Sequence, residues 1–464
     1  MRRIFLTFAI CVFCLPLAES QTFVINDVLV SAPNARIADT EFDPYLNRIC
    51  WQSGDDHTLW TCSLNTSTWA LSVPDGKEVL VDTALVPIDQ TSNGGEWGFD
   101  QTGTFLVYNK LINKTRYAAI AYETFPTWVL CTLTDAPNRM NPHATQNPND
   151  SVAAIQYIRS PSADNTKYRF LSSLSWEHTI YWFTDAHWAL NEQILTGIMC
   201  NDQVGQVDPS ECGFPEQLTN DPGTVYSLPF MWRAPEKGNQ RMFFARANNS
   251  EIRVFKETGA ISGRYTLYMS FPSPSSNPAY DKIASPEPFV YQGQSYVIFM
   301  ASSSPYETSY HNSEIWIAKI DSLDPLMRMV SDTSVGIRTD PEAFATPDSL
   351  LVYYTEVIQP NSPDAIYRLR KCDTGVGAGL PTGKPENDRP DIPGPVVYPN
   401  PFSSRITLQD ATGSELFSLA GPHGQVVWKG KNIHRENFSS LGDGMYYLRI
   451  FSEEGYKTIK IIKE

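Results

Sequence analysis

The sequence has little positive charge. Its 464 residues include 36 Lys and Arg against 51 Asp and Glu, which gives a formal net charge of −15 at pH 7. Residues 1–20 and 391–464 are nearly balanced in charge, so the excess of acid lies between them. A surface of this sign repels phosphate backbones, and we therefore do not expect nucleic acid as a partner.

Long hydrophobic runs are also scarce. Residues 1–20 have the pattern of a secretion signal, because two arginines precede an apolar run over residues 4–17 that is too short to span a bilayer. Small residues just before Gln21 make it the predicted first residue of the processed chain. No later stretch is long and apolar enough to be transmembrane, so we expect an exported chain without a membrane span.

Cysteine is rare, and only six cysteines remain once the signal is removed. An even number in an exported chain predicts disulfides, although six cysteines allow many pairings. Two pairs are favoured by their local setting and a third is what remains. The first two are Cys50 with Cys62, on consecutive strand runs, and Cys200 with Cys212, around a polar loop; the remaining pair is Cys131 with Cys372.

Several enzyme signatures are missing. There is no Gly-x-Ser-x-Gly, which excludes an attached serine peptidase of the usual kind, and no His-Glu-x-x-His, phosphate-binding glycine loop or EF-hand loop. The seven histidines are scattered, and the spacing of His178 and His187 does not show whether they share a site. None of the six cysteines that remain after the signal shows a Cys-x-x-Cys spacing. We predict no metal and no cofactor.

What the sequence does have is a repeated set of short, alternating strands. Runs rich in Val, Ile, Tyr, Phe and Trp, bounded by Gly, Pro, Ser and Asn, are typical of strands in hairpins. One such unit buries one face only, whereas radial stacking buries both faces and protects the sheet edges. Six units can be counted, over residues 41–62, 97–122, 147–171, 229–255, 286–320 and 341–369.

These repeats resemble the TolB-type β-propeller repeat. The segment from Phe344 to Asp348 and the run from Ile315 to Ile317 carry the resemblance, whereas most turns depart from it. The resemblance covers most of residues 35–372 and implies an all-β propeller over residues 21–374. We expect six blades, with five or seven as alternatives. Residues 22–30 would complete the last blade or form an edge strand outside the ring.

The aromatic residues between Trp176 and Trp188 belong to the least regular part of the propeller. We expect them to be core residues of a blade, followed by an insertion that a disulfide holds. The alternative is an exposed loop that makes contacts with a ligand.

A second domain is predicted at the end of the chain. Residues 375–395 are rich in Gly and Pro and are typical of a linker, and residues 396–464 show the alternation of a small Ig-like β-sandwich. Its opening motif is Tyr398, Pro399, Asn400, Pro401 and Phe402, and a later strand contains Gly444 and Tyr446.

This domain resembles the type A C-terminal sorting domain of type IX secretion in Bacteroidota. The resemblance implies recognition by the type IX machinery, transit across the outer membrane and removal of the domain on export. We therefore expect a protein that is secreted or held on the outer cell surface. The alternative is an adhesive Ig-like module.

Candidate site residues are acids near the starts of the predicted blades. Glycoside hydrolysis needs two such carboxyl groups on one cavity, one of them with a raised pKa. Glu287 and Glu342 are the candidates for this pair, because both lie two residues before an aromatic residue. Glu41, Glu96 and Trp97 are candidate binding residues. The remaining candidate acids are Asp39 and Asp340.

The positions of these acids relative to the next aromatic residue argue against one common site. Glu41 lies one residue before Phe42, whereas Glu342 lies two residues before Phe344, and strand alternation then predicts opposite faces. We therefore expect structural acids and a non-catalytic propeller that binds a glycan or a protein. A glycoside hydrolase and a structural surface protein are the alternatives.

Overall fold

The computed structural model describes residues 26–463 with gaps. The predicted signal, Cys212, Asn400 and nearly all of the predicted linker lie outside the described residues. The gaps are residues 44, 55, 88–93, 102, 125–126, 148–149, 160–164, 191, 210–214, 259–264, 307–308, 321–326, 347–348, 361, 363, 377–395, 400, 410–415, 421–425, 443 and 453–454.

The described chain is built from β-strands. The helical turns that it describes in full are short 3-10 turns, at Leu171–Ser173, Pro235–Lys237 and Ile433–Arg435. Among these residues, none of the helical segments has the length and apolar character that a bilayer crossing requires. The prediction of an all-β chain is confirmed.

After a first strand, β1 (Asn26–Leu29), the strands pair in antiparallel units of four. Unit 1 contains β2 (Ile37–Asp43), β3 (Arg48–Ser53), β4 (Leu59–Ser63) and β5 (Val79–Asp82). Unit 2 contains β6 (Glu96–Asp100), β7 (Gly103–Ile112), β8 (Thr115–Thr124) and β9 (Thr127–Pro137). Unit 3 contains β10 (Arg139–Ala144), β11 (Ala154–Arg159), β12 (Asn165–Phe170) and β13 (His178–Tyr181). Unit 4 contains β14 (Phe183–Trp188), β15 (Leu195–Met199), β16 (Val204–Val207) and β17 (Glu216–Gln217).

The remaining units follow the same order. Unit 5 contains β18 (Tyr226–Ala234), β19 (Gln240–Ala247), β20 (Glu251–Glu257) and β21 (Tyr265–Pro272). Unit 6 contains β22 (Lys282–Tyr291), β23 (Gln294–Ser302), β24 (Ser313–Lys319) and β25 (Met327–Met329). Unit 7 contains β26 (Ile337–Ala345), β27 (Leu350–Ile358) and β28 (Ile366–Asp373), and its fourth strand is β1.

The described residues thus contain seven four-stranded units, one more than the six counted in the sequence. Units 3 and 4 are joined into one eight-stranded sheet by a single parallel pair, Asn165 with Phe183. Unit 4 was missed because its strands are short and β17 has only two residues. It occupies the irregular region that follows Trp182.

Apolar clusters fill the space between consecutive units. One cluster lies between units 1 and 2, and the series continues around to units 6 and 7. A further cluster lies between units 7 and 1, where the ring of Phe42 is 4.9 Å from that of Phe344 and 4.5 Å from that of Tyr353. Units 7 and 1 therefore pack on each other as consecutive units do. Each unit buries both of its faces, which is the arrangement of a β-propeller.

Strand β1 holds the beginning of the body to its end. It pairs with β28, from Asn26 with Asp373 to Leu29 with Arg370, which confirms that this segment completes the last unit. The Asp27 carboxylate is buried and accepts hydrogen bonds from Arg370 Nε at 2.9 Å, from Asp332 N at 2.8 Å and from the Tyr354 hydroxyl. A single carboxylate thus joins β1 to three other parts of the fold.

The predicted pairing of Cys50 with Cys62 is not present. Cys50 lies opposite Thr61, so Cys62, one residue further along β4, points to the other face of the sheet. Cys50 packs between units 1 and 2, where its Sγ donates to the Gly95 carbonyl at 2.9 Å, whereas Cys62 packs between units 7 and 1. Neighbouring strands bring the two backbones together, but the side chains cannot meet.

The predicted pair of Cys131 with Cys372 is corrected in the same way, whereas the pair of Cys200 with Cys212 lies partly outside the described residues and stays a prediction. Cys131 borders the cluster between units 2 and 3, and Cys372 lies in the cluster between units 6 and 7. Cys200 is an exposed free thiol, and its predicted partner Cys212 lies outside the described residues. The described cysteines are free thiols, so packing rather than covalent cross-links holds this part of the chain together.

The aromatic residues around unit 4 divide into two groups. Phe183 and Trp188 are buried between units 3 and 4, as expected for blade core. Trp176, Tyr181 and Trp182 are instead exposed, at 70%, 64% and 67% of their surface, which corrects the expectation for these three.

The C-terminal residues form a smaller β-structure. Its strands are β29 (Val396–Tyr398), β30 (Thr407–Gln409), β31 (Leu416–Ala420), β32 (Val426–Gly430), β33 (Gly444–Ser452) and β34 (Gly455–Lys463). They form a two-stranded sheet, β29–β30, and a four-stranded sheet in the order β32-β31-β33-β34. Two of the motif residues are structural: Phe402 is buried and its N–H donates to the Ile462 carbonyl at 2.7 Å, and the Tyr446 hydroxyl donates to the Gly442 carbonyl at 2.8 Å.

We predict that Asp27→Ala destabilises the propeller by about 2–4 kcal/mol, because it leaves the Asp332 N–H and the Tyr354 hydroxyl without their acceptor and removes one ion-pair partner of Arg370. Urea unfolding followed by tryptophan fluorescence measures this change. Asp364→Ala, an exposed acid in the same unit, is the control and should change the free energy of unfolding by less than about 0.5 kcal/mol. Equal stability of the two variants would contradict the role given to β1.

Candidate functional site

The first strand of most units carries the same β-bulge. In β2, β10, β14, β18, β22 and β26, two residues stand opposite one residue of the neighbouring strand. A bulge of this kind bends the strand and redirects the next side chain. The first bulge residue has a positive φ in each case: Asp39 (54°), Asn141 (49°), Asp185 (50°), Leu228 (46°), Ser285 (42°) and Asp340 (56°).

The residue that follows each bulge defines a set of equivalent positions. In unit 2 the corresponding residue is Glu96, which begins β6 directly after Gly94 and Gly95. We call these seven residues, one from each unit, the bulge ring. They are Glu41, Glu96, His143, His187, Phe230, Glu287 and Glu342.

One side of the bulge ring is a chain of direct contacts. His143 Nδ1 lies 3.5 Å from Glu96 Oε1, and the rings of His143 and His187 are 5.5 Å apart. The His187 ring stacks on Phe230 at 4.0 Å. Burial and the neighbouring His143 lower the pKa of His187 to about 3, so this imidazole is neutral at physiological pH.

The other side of the bulge ring is a group of carboxyl groups. Burial raises the pKa of Glu41 well above 4.5, and repulsion from Glu342, Glu96 and Glu287 raises it further. The pKa of Glu342 is raised for the same reasons, with Glu287 as its strongest charged neighbour. Carboxyl groups this close retain protons that an isolated glutamate would have lost, so they can donate as well as accept hydrogen bonds.

Three of the acids form the tightest part of this group. Glu41, Asp340 and Glu342 each offer a carboxylate oxygen, and these oxygens lie within 4.8 Å of one another. The sequence predicted no metal site, since the three residues come from the two ends of the body. Their approach results from the packing of unit 7 on unit 1.

The acids at the first bulge position connect neighbouring units. Asp340 Oδ2 accepts the Thr40 N–H at 3.0 Å, from unit 7 to unit 1. Asp185 accepts the Leu228 N–H in the same way, from unit 4 to unit 5. Gly94 gives room to Asp39, because a Cβ at residue 94 would lie 2.6 Å from Asp39 Oδ2. These acids therefore position the bulges.

A second contact joins the units beside the bulge ring. The residue paired with a ring position donates to the backbone of the next unit in three cases. Cys50 donates to the Gly95 carbonyl, Gln156 to the Ala186 carbonyl, and Thr196 to the Pro229 carbonyl. The side chains of the ring are held by a repeated framework of backbone contacts, which favours a defined site over a loose group of surface charges.

The structure brings together acids that strand alternation had predicted to lie on opposite faces. Glu41, Glu96, Glu287 and Glu342 all interact electrostatically. The phase argument was wrong because it treated two aromatic residues as equivalent. Aligned on the bulge, Glu41 matches Glu342, whereas Phe42 matches Ala343.

Trp97 directly follows Glu96 of the bulge ring and is a buried residue. It is fully buried, its Nε1 donates to the Glu41 carbonyl at 3.0 Å, and the Arg48 guanidinium stands 4.6 Å above its ring. With no surface exposed, Trp97 contributes to the site by positioning Glu41.

Sequence reasoning missed His143, His187 and Phe230. A signal was available, because each ring position ends a short motif of one bulge residue and one small residue or proline. The seven motifs are Asp-Thr-Glu, Gly-Gly-Glu, Asn-Pro-His, Asp-Ala-His, Leu-Pro-Phe, Ser-Pro-Glu and Asp-Pro-Glu. His178, considered as a partner of His187, instead stacks on Tyr168 at 4.8 Å.

Comparison with known proteins bears on the C-terminal part. Residues 396–464 match the family model described as "Secretion system C-terminal sorting domain". These residues are a secretion-system sorting domain. The sorting domain directs the chain through the type IX system to the cell surface or to the outside, which confirms the predicted localisation.

Other comparisons are less informative. No curated protein matches the chain. Among solved structures, it is similar to the β-propeller domain of Cps50 (Swd1) from Myceliophteria thermophila, with 11% identity, a TM-score of 0.47, and coverage of 75% of this chain and 99% of that one. At that distance the similarity supports no argument about the site.

We predict that Glu41→Gln stabilises the protein at pH 8, without added metal ions, by about 1 kcal/mol or more. The folded protein holds this proton to a higher pH than the unfolded chain, so stability is lost as the pH rises from 4.5 towards the raised pKa. Gln removes that loss. Urea unfolding at pH 4 and pH 8 tests this, with Glu257→Gln as the control. A Glu41→Gln effect that does not depend on pH would rule out this explanation.

A second prediction concerns the sorting domain. Removal of residues 396–464 should leave the propeller folded but retained in the periplasm of the native host, because the signal that the type IX machinery recognises is gone. Immunoblots of periplasmic and culture fractions, with circular dichroism of the truncated protein, measure both properties. Normal secretion of the truncated chain would refute the assignment.

Proposed function

We propose that the protein is an exported, seven-bladed β-propeller that binds a glycan at the bulge ring without cleaving it. The observation that carries this proposal is that all seven units supply a side chain from the same position. The packing of Phe42 on Phe344, with β1 in unit 7, supports a closed ring of blades.

The chemistry of the bulge ring suits a saccharide. Protonated Glu41 and Glu342 offer O–H donors, and ionised carboxylates accept hydrogen bonds from sugar hydroxyls. Phe230 and His187 form a stacked pair with partly exposed rings, which offers an apolar surface for a sugar face. The acidic surroundings disfavour uronate or sulfate groups, so we propose a neutral or amino-bearing glycan.

Glycoside hydrolysis is the second candidate, and one distance favours it. Carboxylate oxygens of Glu41 and Glu342 lie within 4.8 Å of each other, close to the separation of about 5–5.5 Å that retaining glycosidases use. A carboxyl group with a raised pKa is suited to act as the general acid.

The route to the outside is part of the proposal. We propose that residues 1–20 are removed as a Sec signal and that residues 375–395 act as a linker. The sorting domain would be an Ig-like sandwich that is cleaved on export by a Bacteroidota host. The repeats would be of TolB type.

A panel of neutral, amino-bearing and acidic polysaccharides tests the function. Binding is measured by affinity electrophoresis and cleavage by release of reducing ends. We expect retardation by a neutral or amino-bearing glycan without cleavage, at least tenfold weaker binding for Glu287→Gln and Glu342→Gln, and unchanged binding for Glu257→Gln. Binding that is equal in all variants would exclude the bulge ring as the site.

Cleavage that is lost in Glu342→Gln would instead establish the hydrolase. Its rate should then fall as the pH rises through the pKa of the acid, because the general acid must carry its proton.

A further inference from the structure

The contact between units 7 and 1 contains an all-oxygen cluster. Glu41 comes from unit 1, and Asp340 and Glu342 come from unit 7, so the three carboxylates meet only when the two ends of the body pack together. Their oxygens lie within 4.8 Å of one another, a spacing that one ion can span.

A buried hydroxyl at the same contact has no partner. Thr40 is 1% exposed, and among the described residues its Oγ1 accepts and donates no hydrogen bond. Its own N–H donates to Asp340, so its backbone lies directly against the cluster. Phe42, two residues further along β2, contacts unit 7, and strand alternation places the Thr40 side chain on this same face. The hydroxyl therefore faces unit 7, which supplies Asp340 and Glu342.

We propose that the contact between units 7 and 1 binds a Ca²⁺ ion through Glu41, Asp340, Glu342 and the Thr40 hydroxyl. All four ligands are oxygens, which suits a hard cation, and Ca²⁺ accepts irregular sets of oxygen ligands completed by water. Nitrogen and sulfur ligands, which zinc prefers, are not part of this set.

The ion would act as a link between the first and last blades. It satisfies the unpartnered hydroxyl and offsets the repulsion among three carboxylates. Because these residues overlap the bulge ring, the site shares residues with the proposed glycan site, yet Ca²⁺ binding requires no glycan. The two proposals can therefore fail separately.

Calorimetric titration with Ca²⁺ alone, and thermal melting of the full processed chain in EGTA or in Ca²⁺, test the inference. We expect one bound ion and a rise in melting temperature of about 3 °C or more at a concentration a hundredfold above Kd. Glu41→Gln should melt at a higher temperature than the wild type in EGTA. Its melting temperature should rise little when Ca²⁺ is added.

Thr40→Val keeps the shape of the side chain and removes the hydroxyl. It should melt at or above the wild-type temperature in EGTA and bind Ca²⁺ at least tenfold more weakly, whereas Glu257→Gln should match the wild type in both conditions. The inference is overturned if Ca²⁺ leaves the melting temperature unchanged, or if Glu41→Gln and Thr40→Val respond to Ca²⁺ as the wild type does. Glycan retardation repeated in EGTA separates the two proposals, since binding that persists there leaves the glycan site standing when the ion site fails.

Discussion

The structure depends on the burial of both faces of each four-stranded unit. Such a unit has an apolar surface on each side, and it has no means of covering either surface alone. Among the described residues, seven apolar clusters between units cover these surfaces. One of them lies between units 7 and 1, so the first and last units pack against each other as the other consecutive units do. The bulges, the free thiols and the acidic cluster all take their positions from this packing.

The bulges turn a structural repeat into a set of functional positions. Several bulges are held by contacts with a neighbouring unit, such as the hydrogen bond from Thr40 to Asp340. The residue that follows is then free to vary, because it bears no packing role common to all units. Four units use Glu, two use His and one uses Phe. The bulge residues, which fix the strand, and the bulge-ring residue, whose chemistry differs between units, are thus neighbours in the sequence.

Much of the fold could be predicted from the sequence, because alternation and turn residues act locally. These features identified strands in six units and gave the role of β1 as one of two alternatives, whereas the C-terminal sorting domain was suggested by a resemblance in its motifs. The remaining features depend on residues far apart in sequence. Unit 4 was missed because its short strands give little alternation, and Cys50 was assigned a partner because sequence shows neighbouring strands but not the face that a side chain takes.

The site was misjudged for a related reason. Alternation was counted from Phe42 and Phe344, which are not equivalent positions, so it assigned Glu41 and Glu342 to opposite faces. His187 and Glu41 are equivalent only when the bulge is the reference, and the aromatic residues that stand out in the sequence belong to different packing layers. The motif of bulge residue, small residue and ring residue was visible, but only the structure shows which feature of the repeat to align.

The pairing of β1 with β28 also orders events in time. Asp27 and Arg370 are separated by 343 residues, so the first strand to emerge in synthesis and export finds its partner only after almost the whole body has followed. Contacts between such distant segments form slowly. Until then the edge of β28 and one face of unit 1 lack a partner. A chain that is synthesised from its first residue therefore keeps these surfaces uncovered for most of its synthesis, and unit 7 is complete only when residue 373 has been added.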